Sequence, residues 1–225
     1  MVPRKLVGLA LVLAAFLLTG CAGEFVTDLY VQDIWDVING EEEYILTTGS
    51  ILIESPGEEY NELLKNVLEQ NFRDVKNFRT GSGDYSSKVI VDVKVPVLDF
   101  DESLEEPWIE ESMAIVVMPM DDGWAAFGLA LNGEKIDGMF AAIQEETFMT
   151  VGVKDFSFFV NLNNDMRGTQ PVYLQGVYAD GRPFAYEEVI EMERRDMVEL
   201  QLGDVARDYA YEEGWVFIGV LEPLE

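Results

Sequence analysis

The chain contains a single cysteine, Cys21. Of all features of the sequence, this one most restricts how the chain can be stabilised when it folds. One thiol cannot form an intramolecular disulfide, so the stability of the folded chain must come from packing. The composition supplies material for a core, because 48% of the 225 residues are apolar and the 13 Phe, 9 Tyr and 4 Trp are spread along the length. If about 20 residues are lost on export, the remainder suits one domain.

The amino-terminal segment has the three-part layout of an export signal. Arg4 and Lys5 provide positive charge, and Leu6–Leu18 is an uncharged apolar run of 13 residues. A membrane-spanning helix needs about 20 apolar residues, so this run is short for a permanent anchor. Small residues follow it, which favours cleavage after position 20.

The residues at the end of this segment resemble the bacterial lipobox: Leu18, Thr19, Gly20 and Cys21. The resemblance implies that the Cys21 thiol receives a diacylglycerol and, after cleavage, becomes the first mature residue. Residues 1–20 are then a lipoprotein signal peptide, and residues 21–225 form a mature, lipid-anchored α+β domain. An ordinary secretory signal with a chance cysteine is the alternative. Two or three acyl chains would hold the domain stably to a bilayer.

We expect this domain to lie on the extracytoplasmic side of the cell envelope. Ala22 stands where Asp would resemble an inner-membrane retention signal. Outer-membrane delivery, with the domain facing the periplasm, is therefore favoured if the host has two membranes.

The charge balance is strongly acidic. Without Arg4 and Lys5 the chain has 13 basic and 43 acidic residues, a net charge of −30. Nucleic-acid binding requires a basic patch, and beyond the pair Arg194 and Arg195 the sequence has no basic cluster. We therefore exclude nucleic acid as a partner. A well-solvated surface accounts for the acidity most simply. The more specific alternatives are calcium binding and binding of a basic partner.

Apolar periodicity predicts both strands and helices. Val89, Val91, Val93, Val95 and Val97 alternate with more polar residues, which indicates a long strand with one face in the core. Leu63, Leu64, Val67 and Leu68 follow helical spacing, and the preceding Ser55-Pro56-Gly57-Glu58 predicts the start of that helix. A second helix is predicted over 134–147 and a short one over 204–211. Further strands are predicted at 25–31, 44–54, 113–120, 124–131, 156–162, 172–178, 197–202 and 215–221.

These elements indicate an α+β fold with a mixed, mainly antiparallel sheet packed by two or three helices. The order strand, helix, strand, strand occurs near residues 44–97 and again near 124–178. This recurrence indicates either a duplicated β-α-β-β unit or two similar stretches in one mixed sheet, and the second interpretation is favoured. Trp108, Trp124 and Trp215 are predicted core residues. Trp35 is predicted to pack in the core or to touch the headgroup layer.

The residue types present in the chain exclude several catalytic mechanisms and metal sites. The chain has no histidine, and its one cysteine is committed to lipid. This excludes Ser-His-Asp catalysis, zinc sites of the Cys/His kind and thiol catalysis. A carboxylate-dependent hydrolase survives, since it needs only two acids about 5 to 10 Å apart. We predict no catalytic residues.

Two groups of oxygen ligands are weak calcium candidates. Asp99, Asp101, Ser103, Glu105 and Glu110 have EF-hand-like spacing, but Leu104 occupies the position where glycine permits the sharp turn. Asn161, Asn163 and Asp165 form the second group. A solvated acidic loop and local backbone caps are the favoured interpretations of these two groups.

Two resemblances bear on function. The segments 25–33 and 161–165 look like pieces of uncharacterised lipoproteins carried by phages and prophages, which implies an envelope role. The helix followed by long strands resembles the tubular lipid-binding (TULIP) lipoproteins, in which a curved sheet wraps a helix and encloses a lipid.

Three functions remain open. The first is a non-catalytic envelope lipoprotein that binds another protein or modifies the envelope, which predicts an exposed apolar or aromatic patch. The second is a lipid or small-ligand carrier, which requires a long apolar cavity. The third is the hydrolase, which requires two acids in one cleft.

Overall fold

The computed structural model of the protein describes residues 23–82, 87–100 and 109–223. In these ranges the chain forms thirteen strands: β1 (Gly23–Tyr30), β2 (Tyr44–Ser55), β3 (Arg73–Ser82), β4 (Ser87–Asp99), β5 (Met113–Pro119), β6 (Ala125–Leu131), β7 (Phe156–Asn163), β8 (Gln170–Leu174), β9 (Val177–Ala179), β10 (Arg182–Phe184), β11 (Glu188–Met192), β12 (Met197–Leu202) and β13 (Trp215–Leu221). Four helices accompany them: α1 (Val31–Ile38), α2 (Asn61–Asn71), α3 (Gly133–Thr147) and α4 (Asp204–Glu213).

All described strands belong to one sheet, in the order β10-β9-β12-β7-β1-β2-β4-β5-β6-β13-β8-β11, and β3 pairs with β4 beside this path. The pairs β1–β7 and β4–β5 are parallel, and the other pairs are antiparallel. This confirms the predicted class, a mixed and mainly antiparallel α+β fold. The helices number four in the described ranges, whereas two or three were expected.

The sheet is nearly closed, because two short connections join its opposite ends. Residues 175–176 connect β8, next to one end of the order, to β9, next to the other. Residues 185–187 connect the end strands β10 and β11, and Arg182 forms an ion pair with Glu188 across this junction. We call this junction the seam.

The alternation of valines in β4 explains which face of the sheet is inside. Val89, Val91, Val93, Val95 and Val97 are at most 2% exposed, whereas Ile90, Asp92 and Lys94 between them are half-buried. Burying each such side chain contributes about 2 kcal/mol. The inward faces of neighbouring strands join the same core, so the nearly closed sheet surrounds most of the apolar interior.

Helices α1, α2 and α3 contribute the larger apolar side chains to this interior. The helix α1 contacts β1, β2, β4, β5 and β6 and buries Val31, Ile34 and Val37. The helices α2 and α3 pack against each other and bury apolar side chains of their own in the same core. Each helix in the described ranges is too short or too polar to cross a bilayer.

The fourth helix, α4, packs on β13 and β6 through Ala206 and Ala210. The Tyr211 hydroxyl donates a hydrogen bond to Asp137 of α3 and so joins the two helices. Burial and this carboxylate together raise the pKa of Tyr211 to about 12.

The predicted start of α2 was wrong by about one and a half turns. Ser55 does not cap the helix, because it is buried and its backbone pairs with Ser87 in the β2–β4 ladder. Its hydroxyl donates to the carbonyl oxygen of Gly57 at 2.7 Å. A 3₁₀ turn at Glu58–Tyr60 follows, and α2 begins only at Asn61.

Two other strand predictions need correction. The single strand expected at 172–178 is divided into β8 and β9, because Gly176 takes φ +73° where the chain crosses the seam. The strand β3 was not predicted. Its ladder with β4 shifts register twice, and Asp74 and Asn77 have positive φ, so the two-residue alternation of a strand is lost.

The two stretches with recurring element order differ in their strand pairing. In the first stretch, β4 pairs with both β2 and β3. In the second, β7 pairs with β1 and β12, whereas β8 pairs with β13 and β11. The two stretches therefore pair differently within one mixed sheet.

The tryptophans are less buried than expected. Trp124 and Trp215 are half-buried rather than core residues, and Trp108 lies outside the described residues. Trp215 packs against Phe217 and Phe100 on the outer face of the sheet. Trp35 packs against the main core, and its indole nitrogen is buried without a hydrogen-bond acceptor among the described residues.

Candidate functional site

The predicted lipid-attachment residues, Leu18, Thr19, Gly20 and Cys21, lie outside the described residues. The first strand begins at Gly23, and Gly23 pairs with Ile53 of β2 and Phe156 of β7. Only Ala22 separates this paired residue from position 21. Any group attached to Cys21 is therefore joined to the sheet almost without a linker.

The first calcium candidate is only partly described. Asp99 ends β4, and Glu110 is exposed, with its backbone carbonyl oxygen accepting a hydrogen bond from the Lys135 ammonium. Asp101, Ser103 and Glu105 lie outside the described residues. Within the described ranges no three acidic side chains are arranged to hold a metal ion.

The side chains of the second calcium candidate form hydrogen bonds with other groups of the protein. Asn161 donates from Nδ2 to Asp28 Oδ1 at 3.1 Å, and Asn163 donates from Nδ2 to the Asn161 carbonyl oxygen at 2.8 Å. Asp165 Oδ1 accepts from the backbone N–H of Gln32 at 3.1 Å and so caps the first turn of α1. Two of these contacts join residues 133 positions apart in the sequence, so this group links the end of β7 to β1 and α1 rather than forming only local backbone caps.

A carboxyl group in α1 has an unusual protonation equilibrium. Asp33 is half-buried near Asp165 and Asp36. Loss of water around the carboxyl, followed by repulsion from Asp165 and Asp36, raises the pKa of Asp33 from 3.8 to about 6.

The apolar pocket between α3 and the sheet is small. It is lined by residues that include Phe25, Phe72, Phe140 and Phe158, and its volume is about 10 Å³. This is room for about one water molecule. A lipid chain does not fit there.

A larger apolar depression lies at the seam, where we place the candidate functional site. The aromatic groove, as we name it, has a volume of about 760 Å³ and is lined by Tyr178, Phe184, Val205, Tyr209 and Phe217 among others. These side chains come from β9, β10, α4 and β13. The groove therefore exists because the sheet closes there.

Backbone contacts fix the shape of the groove. The Gly176 N–H donates to the Phe184 carbonyl oxygen at 2.7 Å, and the Gly203 N–H donates to the Gly176 carbonyl oxygen at 3.2 Å. A Cβ atom at position 203 would approach that same oxygen to 3.0 Å. Glycine at position 203 thus lets α4 begin close to the seam.

The groove exposes apolar side chains that the fold covers only in part. Val205 is 85% exposed, and Tyr209, one turn later on the same face of α4, is 47% exposed. Tyr178 of β9 is 42% exposed. Tyr186 and Val189, in and beside the connection from β10 to β11, are also exposed. Such a concentration of exposed apolar side chains is typical of a binding surface.

The chain was compared with known protein families, curated proteins and solved structures. A family model described as a domain of unknown function (DUF7424) matches residues 23–224. The chain belongs to this family. The DUF7424 match begins at the first residue of β1 and spans every described element. No curated protein and no solved structure is significantly similar to the chain.

The groove of this DUF7424 domain was not predicted from the sequence. The spacing of Val205 and Tyr209, four residues apart in a predicted helix, could have indicated it, because that helix buries only Ala206 and Ala210. Tyr178, Phe184 and Phe217 come from separate strands. Their convergence depends on closure of the sheet, which local patterns do not reveal.

Proposed function

We propose that the protein is a lipid-anchored, non-catalytic lipoprotein on the extracytoplasmic side of the envelope, where it binds another envelope protein through the aromatic groove. Acyl chains on Cys21 tether the domain. In a host with two membranes, we place it on the outer membrane facing the periplasm. Its role is to modify the envelope or to help assemble a larger complex there, in line with the phage-type lipoproteins that parts of the sequence resemble.

The observation that carries this proposal is the exposure of Val205, Tyr209 and Tyr178 around a single open depression. Full burial of an exposed apolar side chain contributes about 1.5 to 3 kcal/mol, and further burial of a half-exposed side chain contributes correspondingly less. Aromatic side chains are enriched in protein interfaces, particularly at their energetically dominant positions. A partner that covers the groove would recover this free energy.

The carrier alternative has weaker support. A TULIP-like lipid carrier needs a long apolar cavity between helix and sheet. The described pocket between α3 and the sheet has a volume of only about 10 Å³. The filled interior therefore favours recognition at the surface over transport of a lipid inside the sheet.

Site-specific photo-crosslinking in living cells tests the proposal. Benzoylphenylalanine is placed at position 205 of the full chain, and Glu62 provides the matched control because it occupies the same second position of the exposed first turn in α2. We expect a discrete protein adduct from position 205 and none from position 62.

The adduct must also depend on the groove itself. Introducing Tyr209→Asp beside the photoreactive residue should lower its yield about tenfold, because a charge would be buried in the interface. An unchanged thermal melt would show that this variant is folded. Equal yields from positions 205 and 62, or a yield unaffected by Tyr209→Asp, would contradict the proposal.

A further inference from the structure

A second open depression lies at the opposite end of β1 from Cys21. We name it the arginine pocket and define it by Arg167, Arg194, Asp165 and Glu222, which line it. Its volume is about 790 Å³, within the usual range for small-ligand sites. Gln32, just after the end of β1, also lines it. Because β1 has eight residues, this end lies about 25 Å along the strand from Gly23.

The two arginines of this pocket are not neutralised by the protein. None of the ion pairs among the described residues includes Arg167 or Arg194. Seven other basic side chains in the described ranges do form ion pairs. Asp165 and Glu222 line the same pocket and still leave both guanidinium groups unpaired. The pocket therefore presents separate positive and negative groups to solvent.

A buried asparagine holds the two arginine-bearing loops together. Asn164 is 1% exposed. Its Nδ2 donates to the carbonyl oxygens of Gly168 at 3.0 Å and Met192 at 2.8 Å, and its Oδ1 accepts from the Met166 N–H at 3.0 Å. Its backbone carbonyl oxygen accepts from the Arg195 N–H at 2.7 Å. Arg167 and Arg194 thus stand on two loops joined through one side chain.

The acidic side of the pocket is fixed as well. Gln170 is fully buried, and its Nε2 donates to the backbone carbonyl oxygen of Glu222 at 2.7 Å. Asp165 is held by the backbone N–H of Gln32. The backbone that carries these charged residues is therefore held in place, so less conformational entropy is lost on binding than with mobile loops.

From this arrangement we infer that the arginine pocket binds a small zwitterion of the amino-acid or peptide class. The ligand's carboxylate lies against Arg167 and Arg194, because guanidinium groups form charge-assisted hydrogen bonds with carboxylates. Its ammonium group lies against Asp165 or Glu222. A purely anionic ligand is disfavoured, since it would meet two carboxylates in the same pocket.

This inference does not depend on the aromatic groove. The pocket is formed by the loops after β7 and β11 and by the residues after β13, whereas the groove is formed by β9, β10, α4 and β13 itself. Either site can fail its test without affecting the other.

Calorimetric titration of the full chain in detergent micelles tests the inference, with alanylalanine as the probe. We expect saturable binding with a dissociation constant of about 1 mM or lower. The N-acetylated and the carboxy-amidated forms of the dipeptide serve as matched probes that each lack one charge. Each should bind about tenfold more weakly than the zwitterion.

The protein variants include a control from the same turn. Arg194→Gln and Arg167→Gln should each weaken binding about tenfold, because each removes a charge that contacts the carboxylate. Arg195→Gln should leave the affinity unchanged, since Arg195 is exposed beside Arg194 but does not line the pocket. Absence of saturable binding, equal affinity for the blocked dipeptides, or equal effects of Arg194→Gln and Arg195→Gln would each overturn the inference.

Discussion

At the residue scale, the charged and polar side chains of this acidic domain differ in whether they stabilise or destabilise the fold. Asn164 is buried and fully hydrogen-bonded, so it stabilises two loops at once. Asp33 is different, because its carboxylate is half-buried beside two further carboxylates. The fold therefore holds Asp33 at a cost in stability when the carboxyl is ionised.

The raised pKa of Asp33 predicts a pH-dependent stability. The native state retains the proton up to a pKa of about 6, whereas the ordinary value is 3.8. Between these values the native state binds more protons than the unfolded chain, so stability falls as the pH rises through this window. Asp33→Asn should therefore raise the free energy of unfolding by about 1 to 2 kcal/mol above the window, after allowance for solvent screening.

Urea denaturation of the wild type and Asp33→Asn at about pH 3.5 and pH 8 measures this effect. The lower pH is the internal control, because both forms are then mostly uncharged at position 33. A stabilisation of equal size at both pH values would show that the cause is not ionisation.

At the element scale, close approach of backbones decides where glycine is needed. In the β6–β13 pair, a Cβ atom on Gly128 would lie 2.0 Å from the Val216 carbonyl oxygen, next to the register shift between Phe217 and Gly219. In the exposed part of α3, a Cβ atom on Gly138 would meet no atom within 4 Å. The two glycines therefore have different reasons to be present.

Substitution of these glycines by alanine should have effects of opposite sign. Gly128→Ala should lower the free energy of unfolding by about 2 kcal/mol or more, because β6 and β13 must separate to admit the methyl group. Gly138→Ala should raise it by about 0.5 to 1 kcal/mol, since alanine favours a helix interior. Chemical denaturation of both variants under one set of conditions gives the comparison, and a destabilised Gly138→Ala or an unaffected Gly128→Ala would contradict the packing described for these elements.

The sequence predicted those elements whose pattern is local. The valine alternation in β4 and the helical spacing in α2 and α3 were sufficient, because each places one apolar face against one core. The start of α2 was misplaced because the β2–β4 ladder extends to Ser55 and overrides its capping tendency. The strand β3 was missed because its bulges interrupt the alternation.

At the scale of the whole molecule, the topology of the sheet brings together the residues of the aromatic groove and of the arginine pocket. The aromatic groove lies where two short connections bring the ends of the strand order together. The arginine pocket lies where β1, β7, β11 and β13 end. Residues 165 and 222 are distant in sequence and meet only because of this topology. The basic pair Arg194 and Arg195 is visible in the sequence, but only the fold shows which of the two lines the pocket.

The same topology determines how a lipid anchor at Cys21 would position the domain relative to the bilayer. Because β1 begins at Gly23 and is paired on both sides, the sheet would follow directly from an acylated Cys21. The arginine pocket would then lie at the end of β1 away from the bilayer. The groove would be held at a fixed distance from the lipid surface, which suits a partner within the envelope.

Metabolic labelling with radioactive palmitate, combined with membrane fractionation, tests this anchor most directly. The full chain should incorporate the label and sediment with membranes, and Cys21→Ser should lose the label and leave the membrane fraction, because two or three acyl chains supply the binding energy. A full chain without label, together with membrane fractionation that is unchanged in Cys21→Ser, would contradict lipid anchoring at Cys21.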